Sequence, residues 1–171
     1  DTLYAPRPGG VRMFEITSNT DWVLSAPSWI TMLETYGSGD ATIEMMVGVN
    51  STYSSRIGYI TVMHNGVELA RLVVVQEGIP TILSADVEEI VFAPNGGAQY
   101  FHLTSNLNWE IENTAEWLFC EPMHGSGDAE VLVKAMQMDG VSSREEVLVI
   151  RGKNAEGGVL QTITIIVRQT N

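Results

Sequence analysis

Apolar and polar residues alternate along much of the chain with a period of two. Phe14 and Ile16 alternate with polar neighbours, and a second apolar series occupies every other position from Ala41 to Val49. Successive side chains of a β-strand point to opposite faces, so this spacing predicts strands with one buried face. No stretch offers the three-to-four-residue spacing of a long amphipathic helix. The pattern therefore predicts an all-β fold.

Short segments rich in turn-forming residues separate the predicted strands. They include Tyr36–Asp40 (YGSGD), Asn50–Ser55 (NSTYSS) and His64–Gly66 (HNG). The Asn-Gly pair in the last segment tolerates the positive φ angles of a tight hairpin turn. The spacing of these turns predicts an immunoglobulin-like β-sandwich of about seven or eight short strands for each half of the chain.

The second half of the chain repeats the first. FEITSNTDW at 14–22 returns as FHLTSNLNW at 101–109, GSGD at 37–40 returns at 125–128, SSR at 54–56 returns at 142–144, and VVVQ at 73–76 returns as IVRQ at 166–169. A motif repeated in this order indicates two copies of one domain. We predict domains at 1–78 and 79–171, with the junction in the Gly- and Pro-containing segment Glu77–Pro80.

The two copies differ at their beginnings. Asp1 aligns with Glu88, but a strand-like stretch, Ile82–Val87, precedes Glu88 in the second copy. We therefore expect the first strand of the first domain to be incomplete and the mature protein to extend further upstream.

The charge argues against nucleic-acid and membrane partners, and the cysteine count excludes an intrachain disulfide. The formal net charge is −12, whereas a nucleic-acid-binding protein needs Lys and Arg to displace counterions from phosphates. The same charge disfavours adsorption to an anionic membrane, and no apolar run approaches the ~20 residues of a membrane helix. The single cysteine, Cys120, cannot form an intrachain disulfide and is expected to be a small buried residue.

The repeated pattern resembles the BACON domain, a Bacteroidetes-associated domain proposed to bind carbohydrate and often found near the N-terminus of larger proteins. The resemblance rests on SN-x-x-W, a second Trp followed by an apolar residue, GSGDA, an Arg after a Ser-rich loop, and a closing strand ending in Gln. It implies an immunoglobulin-like sandwich in an exported protein of the periplasm, the cell surface or the secreted fraction, anchored through upstream sequence. It also implies the company of glycan-degrading enzymes or adhesins.

Aromatic side chains are the candidate carbohydrate-binding residues, because aromatic rings can stack on the faces of sugars. Tyr36 and Tyr53 lie in predicted turn-rich loops, and Tyr59 alternates away from a buried face. The second copy has His124, Val141 and Val147 at these three positions, so sugar binding by these tyrosines would belong to the first domain only. Scattered surface aromatics without a ligand are the alternative.

The four tryptophans occur at equivalent positions in both copies. Trp22 and Trp109 are expected in the core, where β-sandwiches keep large aromatic residues. Trp29 and Trp117 are kept as candidate sugar-contacting residues, although core packing is the favoured interpretation for them too.

Catalytic and metal-binding motifs are absent from the sequence. The three histidines have no metal-ligand spacing, and G-x-S-x-G, H-E-x-x-H and P-loop motifs do not occur. Asp40 and Asp128 of the GSGD segments are expected to be turn residues, because a lone Asp lacks the several oxygen ligands that Ca²⁺ requires. Arg56 and Arg144 are expected to bond loop carbonyls or carboxylates.

These observations predict a non-catalytic extracytoplasmic module without cofactors. The leading hypothesis is that the module binds glycan or mucin, or acts as a spacer between other domains, in a surface protein that takes part in glycan utilisation. The alternative is an adhesin-like protein-interaction module, for which the outward apolar residues Val73 and Val75 are suited.

Overall fold

The computed structural model describes residues 1–140 and 142–170, and in them every regular element is a β-strand. The chain divides into two compact units, Asp1–Pro80 (unit 1) and Thr81–Asn171 (unit 2). Each unit holds two β-sheets. The predicted all-β fold with two tandem immunoglobulin-like sandwiches is thus confirmed. The described part of the chain contains no helix with the length and apolarity needed to cross a membrane.

Unit 1 contains eight strands among its described residues. They are β1 (Thr2–Ala5), β2 (Gly10–Ile16), β3 (Asp21–Ser25), β4 (Ile30–Met32), β5 (Tyr36–Ser38), β6 (Ala41–Val47), β7 (Arg56–His64) and β8 (Val67–Gln76). One sheet has the order β1-β8-β7-β3-β5 and the other the order β2-β6-β4. The β1–β8 pair is parallel and the remaining pairs are antiparallel.

Unit 2 repeats this plan with one strand more. Its strands are β9 (Leu83–Ala85), β10 (Glu89–Phe92), β11 (Gly97–Ser105), β12 (Asn108–Glu112), β13 (Leu118–Glu121), β14 (His124–Ser126), β15 (Ala129–Ala135), β16 (Ser143–Lys153) and β17 (Val159–Thr170). The sheets have the orders β10-β17-β16-β12-β14 and β13-β15-β11-β9. The added strand is β9, at the position of the strand-like stretch that the sequence shows only in the second copy.

The alternation seen in the sequence places one side of each strand in the interior. In β6 the residues Ile43, Met45 and Val47 are fully buried, and in β15 Val131 and Val133 are fully buried. One detail of the sequence-based prediction is wrong. Val49 does not continue the buried series, because β6 ends at Val47 and the side chain of Val49 is 57% exposed.

The repeated GSGD segment makes room for the buried tryptophan of each unit. Trp22 is 2% exposed, and its Nε1 donates a hydrogen bond to the Gly39 carbonyl at 2.9 Å. A Cβ on Gly37 would lie only 2.4 Å from the indole, so a larger residue there would displace the ring. Trp109 has the same bond, to Gly127 at 2.8 Å, and is 3% exposed. The prediction that both rings belong to the core is confirmed.

The aspartates of the GSGD segments fix the turn that leads to these tryptophans. The Asp40 carboxylate accepts the backbone N–H of Ser18 at 2.9 Å, and Asp128 accepts that of Ser105 at 2.8 Å. Each aspartate therefore joins two loops that are more than 20 residues apart in sequence, which confirms a structural role. Among the described residues, no group of three or more potential metal ligands comes together.

A buried glutamine joins the opening and closing segments of unit 1. Gln76, at the end of β8, is fully buried, and its Nε2 donates to the carbonyl oxygens of Pro6, Arg7 and Gly48 at 3.1, 3.0 and 2.8 Å. Its Oε1 accepts the Nε–H of Arg56 at 2.8 Å. A buried amide is stable only when its donors and acceptors are paired, so this side chain holds three separate segments in place.

An arginine over a tryptophan completes the arrangement in both units. The Arg56 guanidinium lies 4.3 Å from the centre of the Trp29 ring, and Arg144 lies 4.4 Å from that of Trp117. The Arg144 Nε–H donates to Gln169 at 2.8 Å, as Arg56 does to its glutamine. The prediction that both arginines bond loop carbonyls is confirmed. We call each set the buried clamp; its members are Arg56, Gln76 and Trp29 in unit 1 and Arg144, Gln169 and Trp117 in unit 2.

Replacing Gln76 with Leu should destabilise unit 1 by about 2–4 kcal/mol, because buried carbonyls and the Arg56 Nε–H would lose a partner. Urea unfolding followed by circular dichroism measures the change. Gln169→Leu is the matched variant and should lower the stability of unit 2 by a similar amount. A loss below about 0.5 kcal/mol in both variants would contradict a stabilising clamp.

Cys120 should be nearly inert towards thiol reagents in the folded protein. It is 3% exposed, and burial raises the pKa of its thiol to about 11. Only about 0.1% is then thiolate at pH 8, so reaction should be at least about a hundredfold slower than for an exposed cysteine. Colorimetric thiol titration with and without urea measures the two rates. Comparable rates would mean that β13 opens readily.

Candidate functional site

An exposed apolar surface covers one end of the outer side of the larger sheet in unit 1. It is formed by strands β1, β8 and β7, on the side that faces away from the core. We call it the aromatic face; its members are Tyr4, Ile57, Tyr59, Val73 and Val75. Tyr4 is 76% exposed, Ile57 60% and Tyr59 49%, whereas the two valines are half-buried between them.

Strand register makes this surface continuous. Val75 of β8 pairs with Tyr4 of β1 on one side and with Ile57 of β7 on the other. Val73 pairs in the same way with Tyr59. Neighbouring strands lie about 4.8 Å apart, so these side chains touch or nearly touch across three strands. The result is an open, nearly flat surface with a tyrosine at each of two opposite corners.

A charged pair borders the aromatic face. The Arg71 guanidinium lies 5.0 Å from the centre of the Tyr59 ring and forms two hydrogen bonds with the Glu68 carboxylate, at 2.8 and 3.0 Å. The hydrogen bond from Arg71 lowers the pKa of Glu68, so this carboxylate stays ionised at neutral pH. The tyrosine ring is thus flanked by fixed donors and acceptors, an arrangement suited to a ligand with both apolar and hydroxyl groups.

The structure brings together only some of the tyrosines singled out from the sequence. Tyr36 is not in a loop as predicted; it begins the edge strand β5, where it pairs with Val23 and is 78% exposed. It shares the outer side of the sheet with Tyr59, but at the other end of β7, because Val23 pairs with Met63. Tyr53 is half-buried in the loop before β7.

Trp29 and Trp117 occupy a different environment. One face of each ring is covered by the arginine of its buried clamp. The edge of the Trp29 ring also packs closely beside Gly58, where a Cβ would come within 2.6 Å of it. Both indoles are half-buried, so they expose less ring surface than Tyr4 does.

Tyr4 was missed by the sequence analysis. The usable signal was the alternation of Thr2–Ala5, in which Leu3 and Ala5 point inward and Tyr4 therefore points outward. Thr2–Ala5 was not predicted as a strand, because its partner strand β8 lies about 70 positions away in the sequence.

On the corresponding surface of unit 2, aliphatic side chains and an ion pair take the place of the tyrosines. The residues at the equivalent positions are Val91, Glu145, Val147, Ile166 and Arg168. Arg168 bonds Glu145 at 2.6 Å and also pairs with Glu89. Lys153 pairs with Glu110 at 2.5 Å on a neighbouring strand. His124 stands at the position of Tyr36, and Val141, which corresponds to Tyr53, lies outside the described residues.

Comparison with known proteins shows a family and a set of distant folds. The model of the BACON family, described as "Putative binding domain, N-terminal", matches residues 14–77 and 107–169. A search of curated protein sequences finds no match. Among solved structures, a Bacteroides ovatus GH5 xyloglucanase in complex with a XXXG heptasaccharide is 19% identical with a TM-score of 0.45, covering 53% of this chain and 19% of that one.

Two further solved structures are similar at the level of the fold. WR4, a member of the MSP family of C. elegans, is 17% identical with a TM-score of 0.42, covering 53% of this chain and 98% of that one. A protein of unknown function from Porphyromonas gingivalis W83 is 9% identical with a TM-score of 0.39, covering 96% and 93%. The chain spans about a fifth of the xyloglucanase that it matches. Because the family model matches both units over well more than half of the sequence, the chain belongs to the BACON family as a tandem pair of its domains.

Proposed function

We propose that this chain is a non-catalytic, extracytoplasmic glycan-binding module, and that unit 1 holds the binding surface on its aromatic face. The observation that carries the proposal is the difference between the two units. They share a fold, a buried clamp and a tryptophan pocket, but of the two equivalent surfaces only that of unit 1, on the outer side of β1, β8 and β7, carries tyrosines. Membership in a family of binding domains supports a binding role.

The chemistry of the surface suits a neutral glycan better than other ligands. Sugar rings present C–H groups that pack on aromatic faces and hydroxyls that need hydrogen-bond partners. Tyr4 and Tyr59 supply the rings and two phenol groups, while Arg71 and Glu68 supply further polar atoms at the edge. An open surface covers a ligand on one side only, so we expect weak binding, with a Kd on the order of 0.1–1 mM.

Tyr59→Ala and Tyr4→Ala should each weaken glycan binding about tenfold, because each removes a ring that stacks on the ligand. Affinity gel electrophoresis with plant, host and mucin glycans measures the retardation. Val147→Ala and Val91→Ala, at the equivalent positions of unit 2, are the matched controls and should bind normally. Tyr36→Ala and Tyr53→Ala test the two remaining candidate tyrosines. A parent chain that is not retarded by any glycan would overturn the proposal.

Adhesin-like protein binding is the second candidate function, and the same surface favours it. Ile57, Val73 and Val75 give the aromatic face an aliphatic centre of the kind found in protein interfaces. Light scattering at rising concentration distinguishes the candidates. Protein pairing would be favoured if the molar mass of the parent chain doubles while the Ile57→Glu, Val75→Arg double variant keeps the mass of a monomer. That variant copies the ion pair of Glu145 with Arg168 and leaves both tyrosines in place.

A further inference from the structure

A groove along strand β2 exposes part of the core of unit 1. It has a volume of about 650 Å³ and lies between the free edge of β2 and the end of the β7–β8 hairpin. The apolar residues that line it are Phe14, Ile16, Val62, Leu69, Ala70 and Leu72, and Asp1 lies at its mouth. Exposed edge strands with apolar surroundings are the sites where proteins accept an additional strand.

Unit 2 shows what fills the corresponding groove. There β9 pairs antiparallel with β11, the counterpart of β2, in the register Leu103 to Ala85 and Ser105 to Leu83. Leu83 is 3% exposed, and its carbonyl accepts a hydrogen bond from the Gln161 side chain at 2.9 Å. In unit 1, the described residues place no strand on this edge of β2.

The core residues respond to this difference. Phe101, the counterpart of Phe14, is fully buried, and Ile150 and Ile165, the counterparts of Val62 and Leu72, are fully buried as well. Their three partners in unit 1 are only half-buried, and all three line the groove. Because the rest of the two sandwiches follows the same order of strands, the missing cover is the simplest cause of this exposure.

A β-bulge adds a further apolar side chain to the groove. Val62 pairs with Ala70 and Met63 with Glu68, so Leu69 is an extra residue without a cross-strand partner. Leu69 lines the groove while 53% exposed. The hairpin of unit 2 has its bulge further along, where Gly152 pairs with Gln161 and Lys153 with Val159, and the extra residue there, Leu160, is half-buried. Unit 1 thus places an uncovered leucine where a strand would contact it.

The start of the chain is positioned to deliver such a strand. The Asp1 carbonyl accepts the N–H of Val73 at 3.0 Å, and the Glu88 carbonyl accepts the N–H of Ile166 at the same distance. In unit 2 only three residues separate β9 from β10, and the last of them is Glu88. A segment joined to the amino group of Asp1 therefore has the same short path into its groove.

The end of the groove near the β7–β8 turn is more polar than the corresponding region of unit 2. In unit 2, Leu83 packs beside Leu107 and Gly152, where a Cβ would lie 2.5 Å from the Leu107 side chain. Unit 1 has Thr20 and His64 at those two positions, and their side chains approach to 3.2 Å. The residue of the incoming strand at this end therefore meets a more polar surface than Leu83 does.

We propose that the groove is an acceptor site for an extended segment that continues from the amino group of Asp1. The segment runs antiparallel to β2 and places apolar or small side chains over Phe14 and Leu69. Its chemistry is that of Thr81–Val87: two inward side chains separated by an outward polar one, followed by an acidic residue. In unit 2 that acidic residue is Asp86, whose carboxylate accepts the N–H of His102 at 2.8 Å.

The test adds segments directly before Asp1 of the complete chain. One variant carries TILSADV, copied from 81–87; a second carries TISSADV, which suits the polar end; a control carries TIDSDDV, which has charges at both inward positions. Amide hydrogen exchange is the measurement. Glu15, Thr17 and Asn19 correspond to His102, Thr104 and Asn106, which lie beside Ile82–Asp86 in unit 2. Their amides should exchange about tenfold or more slowly with TILSADV or TISSADV than with the control.

A thiol probe gives an independent measurement. Leu69→Cys should react rapidly in the parent chain and about tenfold more slowly when an apolar segment fills the groove. Cys120 does not interfere, because it is buried. Leu69→Asp in the TILSADV variant should restore fast exchange at Thr17, while changing little in the parent chain, where Leu69 is exposed.

Three outcomes would overturn the proposal. Equal amide exchange rates in the TILSADV, TISSADV and TIDSDDV variants would show that the groove accepts no such segment. Concentration-dependent protection of Thr17 in the parent chain, with a doubled mass, would assign the groove to a second copy. In the chain that carries TILSADV, the attached segment should already fill the groove. Tight binding of the free TILSADV peptide to that chain would therefore show that the groove is empty or that the peptide binds at another site. Tyr4 and Tyr59, on which the glycan proposal is tested, do not line the groove, so the two proposals can fail separately.

Discussion

The buried clamp is the constraint on which the rest of each unit depends. A fully buried glutamine at the end of the closing strand reaches the turn after the opening strand and the loop after the sixth strand of unit 1. Backbone hydrogen bonds also join these segments, among them one from the Asn50 N–H to the Arg7 carbonyl at 2.9 Å. The arginine occupies the other side of the amide and is itself stacked on a tryptophan. Removing the glutamine side chain would take a common partner from the arginine and from the carbonyls on both loops.

The buried clamp explains why the same motifs occur in both halves of the sequence. The Trp-Ile and Trp-Leu pairs, the Arg after the Ser-rich loop and the final Gln are spread along each unit, yet they meet at one place. The GSGD segment meets the other tryptophan in the same way, with Gly37 against the ring and Asp40 bonding the preceding turn. Repetition in the sequence therefore marks the positions where the fold tolerates least change. Surface function must be sought where the halves differ.

The sequence predicted the architecture well because period-two alternation and turn residues are local signals. It anticipated the buried Trp22 and Trp109, the outward direction of Tyr59 and the extra strand of the second half. It did not predict which outward side chains come together, because Tyr4 reaches Val75 only through a parallel pairing between the two ends of unit 1. Tyr36 is exposed as predicted, but it lies in strand β5 rather than in a loop, because three residues are too few for alternation to reveal that strand.

The ion pairs on the outer side of unit 2 have a consequence for the behaviour of the molecule in solution. Paired charges of opposite sign on adjacent strands keep part of that sheet hydrated. The chain as a whole carries a formal charge of −12, so copies repel one another at low ionic strength. This repulsion opposes association of copies through the aromatic face, and added salt screens the repulsion. Colloidal stability in this protein thus comes from the excess of acidic residues in both units.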